Sequence, residues 1–77
     1  MSAANAIKKI ERDISTHEKK LATIEATLSD SSLYEEENKA KLQKLLIDQG
    51  EARQAHEQAE EQWLDLNQQL EELQEQL

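Results

Sequence analysis

Two histidines, His17 and His56, carry the only side chains in this 77-residue chain whose ordinary titration falls near neutral pH. A pair of imidazoles can ligate a metal or act as a pH switch. Metal ligation finds no support in the spacing: there is no cysteine, and neither histidine has a second one four residues away. Both fall on the apolar seam described below. The expectation is a half-buried imidazole bonded to Gln49 or to water, with a modest effect of pH on stability.

Carboxylates are more abundant, in the runs Glu35-Glu36-Glu37, Glu60-Glu61 and Glu71-Glu72. Acid–base catalysis needs carboxylates held in a concave, partly dry site. Paired helices offer no such site, so these runs read as solvated faces, and Glu35 to Glu37 suit a helix N-terminus. No catalytic, cofactor-binding or metal-binding residue is expected. Trp63 is suited to stack on a base or a partner, but its heptad position places it in the seam, opposite small residues near Ala3. Ile47 and Leu64 fall at outward positions and are the candidate apolar partner contacts. The candidate cationic contacts are Lys8, Lys9, Arg12, Lys19 and Lys20 early in the chain, with Lys39 and Lys41 near the tip, where Lys44 is a further basic residue. Glu11, Asp13 and Glu18 interrupt the first group, which favours a mixed solvated face over a phosphate-binding stripe.

What must position these residues is a pair of helices. Ile7, Ile10, Ile14, His17, Leu21, Ile24 and Leu28 alternate in steps of three and four. Leu42, Leu45, Gln49, Ala52, His56, Ala59, Trp63, Leu66, Leu70, Leu73 and Leu77 do so again. Two heptad seams separated by LSDSSLYEEENKAKL predict an all-α fold, an antiparallel two-helix coiled-coil hairpin. The expected bounds are a helix over 3–28, a turn over 29–35 and a helix over 36–77. Ser32 and Glu35 match a capping box for a new helical turn. Leu33 and Tyr34 are expected to form the hairpin tip, folded over Leu28, Leu42, Leu45 and Leu46. Gly50 lies outward within the second helix.

Charge suggests which residues face each other. One register sets Leu21 by Leu45, His17 by Gln49, Ile14 by Ala52 and Ile7 by Ala59, pairing Glu11 with Arg53 and Lys20 with Asp48. A register one heptad away sets His17 by His56 and Ile10 by Trp63, but brings Glu11 near Glu60. The first is preferred on charge. It leaves most of Leu66, Leu70, Leu73 and Leu77 overhanging, a seam for self-association or for cover by residues upstream.

Composition limits the rest. Only 36% of residues are hydrophobic, with no Phe or Pro and a single glycine, too little for a globular core. Unbroken heptads argue against disorder. The net charge of −8 is uneven: residues 1–29 carry five basic and four acidic side chains, and residues 30–77 carry four and thirteen. The halves attract each other, and the acidic one is a poor non-specific phosphate binder. The longest apolar run, Leu45-Leu46-Ile47, is far short of the roughly 20 residues of a membrane span, and no secretory signal is evident, so a cytoplasmic location without membrane partners is expected.

The run DSSLYEEENKAKL, followed after some two dozen residues by AEEQWLDLNQQLEEL, resembles the C-terminal coiled-coil domain of ABC-F ATPases, the bacterial YheS-like members first and Uup-like members next. The likeness extends from IKKIERDI through QEQL, with Leu33-Tyr34 after an acidic, serine-rich turn and Trp63-Leu64 as its distinctive parts. It implies that the chain is a C-terminal piece of a larger protein whose two cassettes bind ATP and Mg and hydrolyse ATP on the ribosome. The segment itself has no GxxxxGK[ST] loop and no expected enzymatic activity. The resemblance implies an arm that acts as a spacer or contacts the ribosome or rRNA, or DNA as in Uup-like proteins. This chain departs from a basic DNA-binding arm in being acidic. The alternative, of another class, is a structural oligomerisation coiled coil.

Overall fold

The computed structural model describes residues 3–76. It is an elongated all-α hairpin, 62 × 18 × 14 Å, with no strand among the described residues. Helix α1 spans Ala3–Leu28 and helix α2 spans Lys39–Glu75. Two short 3-10 turns, Ser31–Tyr34 and Glu36–Asn38, join them. The helices pack along one thin seam whose most buried members are Ile7, Ile24, Leu33, Ala52 and Ala59. The three threonines of α1 are satisfied within it: Thr16, Thr23 and Thr27 each donate a hydroxyl to the carbonyl four residues earlier, at 3.0 Å.

The turn contains no glycine and no residue of positive φ among the described residues. Side-chain bonding does the work instead. The last four carbonyls of a helix have no intrahelical partner, and in α1 all four find one. Ser29 N–H donates to Glu25 and Ala26 O, Asp30 N–H to Thr27 O, and the Tyr34 hydroxyl to Leu28 O at 2.7 Å. Asp30 then caps the first 3-10 turn, accepting from the Ser32 N–H at 3.0 Å and the Ser32 hydroxyl at 2.9 Å. The capping box expected between Ser32 and Glu35 does not form. Glu35 precedes the second 3-10 turn without a side-chain cap, and the Ser32 carbonyl accepts from Glu35 N–H and from the Asn38 side chain at 2.9 Å. The turn consequently runs on to Asn38, and α2 begins at Lys39 rather than near Glu36.

Leu33 is 4% exposed at the end of the seam, in a 3-10 turn that contacts both helices. Tyr34 does not join it: the ring is 59% exposed and only its hydroxyl turns inward. Leu46, expected under the tip, is also exposed.

The helix register is the one rejected on charge. Glu18 reaches His56 at 3.3 Å, Trp63 shares a groove with Ile14, and Leu66 shares one with Ile10. These relations set His17 level with His56, and Trp63 between Ile10 and Ile14, one heptad from the expected pairing. The expected Glu11–Arg53 and Lys20–Asp48 pairs are absent among the described residues. The physical reason is one of magnitude. Flanking surface pairs contribute a few tenths of a kcal/mol. Sliding by a heptad brings Trp63 and Leu66 alongside Ile7, Ile10 and Ile14, and each large apolar side chain gained by the seam is worth on the order of 1–3 kcal/mol. Burial outweighs charge. The overhang is correspondingly shorter: Leu66 and Leu70 are half-buried, Leu73 is 56% exposed, and Leu77 lies outside the described residues.

Candidate functional surface

All of the cationic candidates lie in water, on two separate parts of the arm. On α1, at ~100° per residue, Lys8, Arg12 and Lys19 fall within about 40° of one line on the face opposite the seam. Lys8 and Arg12 border a shallow groove together with Glu11 and Ser15. Lys9 and Lys20 lie further round the helix, beside Asp13. Lys39 and Lys41 sit at the start of α2, and Lys8 is roughly 30 Å along α1 from that end. The two basic groups therefore form no single patch. Ile47 is exposed on the outside of α2.

Near the tip, hydrogen bonds from the Ser32 hydroxyl, and next from its backbone N–H, hold the Asp30 carboxyl below the usual aspartate range, with the Lys41 charge adding to the lowering. Asp30 is thus an ionised cap, and Lys41 is part of its electrostatic surroundings.

The acidic side chains of α1 are sorted rather than scattered. Glu11, Glu18 and Glu25 recur every seven residues and therefore share one flank of the seam. On that flank His56 has a carboxylate at each ring nitrogen: Glu18 Oε1 lies 3.3 Å from Nε2, and Glu60 Oε1 lies 3.1 Å from Nδ1. His56 thus ties α1 to α2, with Glu18 and Glu60 rather than Gln49 as its partners. Among the described residues no group of three or more His, Cys, Asp or Glu side chains is placed so that it could hold a metal ion.

One turn beyond His56 the same flank opens into a groove of about 410 Å³. Its floor is Ile14, Trp63 and Leu64, and its rim carries Glu11, Glu18 and Glu60. Trp63 is half-buried and Leu64 is 61% exposed. The Asn67 side chain holds the Trp63 carbonyl at 2.8 Å, fixing the helix turn beneath the indole. Trp63 is in the seam, but beside Ile14 rather than near Ala3. Of the expected partner contacts Leu64 belongs to this groove, beside Trp63, which the sequence places in the seam. Glu11, Glu18 and Glu60 are not among the expected partner contacts, although the seven-residue spacing of Glu11 and Glu18 is a usable signal.

Among the described residues the grooves named above are open surfaces along an elongated hairpin. No helix among the described residues is long and apolar enough to cross a membrane. No curated protein and no solved structure matches the chain. A family model described as the ABC transporter C-terminal domain matches residues 3–68, which takes in α1, the whole tip and α2 as far as the groove. The chain therefore belongs to the ABC transporter C-terminal domain family, as a non-catalytic helical unit.

Proposed function

We propose that this hairpin is the C-terminal arm of a cytoplasmic ABC-F-type ATP-binding protein, serving as a spacer and binding element that contacts the ribosome through rRNA. The observation that carries the reading is the 62 Å hairpin with Lys8, Arg12 and Lys19 aligned on the outer face of α1. Such a line suits phosphates spaced along a backbone. Lys39 and Lys41 at the far end supply a second contact. Chemistry with ATP and Mg belongs to cassettes outside this segment. Net charge of −8 speaks against tight binding to duplex DNA.

Co-sedimentation of the chain with ribosomes and with duplex DNA across a salt series tests this. Ribosome association that weakens with salt and falls in a Lys8→Glu, Arg12→Glu, Lys19→Glu variant is the expected result. Binding to DNA alone would replace the reading with the Uup-like one.

The exposure of Leu73 beyond the start of α1 favours a second reading, an oligomerisation element formed with Leu66, Leu70 and Leu77. Sedimentation equilibrium separates the two. A dimer lost on Leu70→Asp supports oligomerisation, and a monomer at all concentrations removes it.

A further inference from the structure

The groove over Trp63 lies on the seam's acidic flank, sharing Glu11 and Ser15 with the shallow groove that Lys8 and Arg12 border, and its chemistry selects a different partner from RNA. The floor is apolar and partly wet: the Trp63 ring is half-buried, and Leu64 projects with 61% of its surface exposed. Glu11, Glu18 and Glu60 stand around that floor, all exposed; Glu18 and Glu60 each spend one oxygen on His56, and no Lys or Arg is within ion-pair distance of any of the three among the described residues. Phosphate is repelled from such a rim. A guanidinium is suited to it, because it stacks on an indole face while donating to carboxylates beside it.

We propose that this groove docks a basic segment of another protein, with an arginine over Trp63 and an apolar neighbour of that arginine against Leu64. Charge complementarity decides the occupant: three carboxylates around an aromatic floor favour a cation that is flat and weakly hydrated, which describes arginine better than lysine. No residue of the Lys8, Arg12 and Lys19 line forms the floor or the acidic rim, although Glu11 and Ser15 border both grooves. Volume is adequate as well: about 410 Å³ accommodates one arginine side chain and one aliphatic neighbour.

Trp63 is the chain's single tryptophan, so its emission reports on the groove directly. The probes are a synthetic peptide alternating arginine and leucine, the same peptide with glutamate for arginine, and an RNA duplex. The arginine peptide is expected to shift Trp63 emission saturably, with an affinity that falls at least tenfold between 50 and 500 mM salt. A Glu11→Gln, Leu64→Ala variant, which leaves the His56 contacts in place, is expected to lose at least tenfold in affinity while its circular dichroism stays unchanged. Undiminished peptide affinity in that variant would overturn the proposal. So would an emission change produced by the RNA duplex but not by the arginine peptide. An equal change on concentrating the chain alone would also overturn it, because the occupant would then be a second copy.

Discussion

The hydroxyl of Tyr34 donates to the carbonyl of Leu28 at 2.7 Å, although most of the tyrosine ring stands in water. The bond completes the set of acceptors at the end of α1, and the neighbouring Leu33 closes the seam beneath it. Removing the hydroxyl in Tyr34→Phe should cost about 0.5–1.5 kcal/mol in urea unfolding. Leu33→Ala, at a site only 4% exposed, should cost about 2–5 kcal/mol. Equal losses in the two variants would mean that the tip is held by its hydrogen bonds rather than by its buried leucine.

Asp30 sets an acid limit on the tip. Its carboxyl is held below its ordinary value by the Ser32 hydrogen bonds, so the cap favours the folded chain wherever the carboxyl is ionised. That contribution is complete above the unfolded value of about 3.9 and disappears as pH falls through the lower folded value. Asp30→Asn should therefore lower the melting temperature at pH 7, and the gap to the parent chain should close as pH approaches 2. A gap that does not change with pH would show that the charge of Asp30 is irrelevant to the cap.

The helix register can be trapped chemically. With His17 level with His56, a His17→Cys, His56→Cys chain should form an intramolecular disulfide under mild oxidation. A Leu21→Cys, Leu45→Cys chain should not, because those positions are about one heptad out of step. Non-reducing electrophoresis or mass spectrometry reads the result, and the reverse pattern would restore the charge-based register.

Gly50 lies inside α2 with no positive φ, and a methyl group added there meets nothing within 4 Å. Gly50→Ala should thus stabilise the hairpin by roughly 0.5–1 kcal/mol through reduced freedom of the unfolded chain. Destabilisation instead would indicate that the open side of Gly50 is covered in solution.

The all-α hairpin was legible because Ile7 through Leu28 and Leu42 through Leu73 keep seven-residue phase without interruption. The register was not. Both alignments place large side chains against Ala52 and Ala59, and the choice between them turns on how much of the chain the turn consumes. That length depends on Asp30 bonding to Ser32 and on Asn38 reaching back to the Ser32 carbonyl, contacts that short polar residues can make in several ways. The candidate surface was legible in part. The exposed lysines and Leu64 follow from the heptad wheel, whereas the groove needs Glu11 and Glu18 of one helix set against Glu60 of the other, and that juxtaposition exists only once the register is known.

Because Leu33 is pinned where the two helices meet, every level along the arm is counted outward from it, like marks on a ruler from its zero. Deleting a single residue from α2 between Leu42 and His56 would swing all that follows by about 100°, dismantling the floor around Trp63 while leaving total helicity almost untouched. Arms of this build can be shortened or lengthened only in matched seven-residue steps on both helices, so the distance at which such a hairpin presents its groove is quantised.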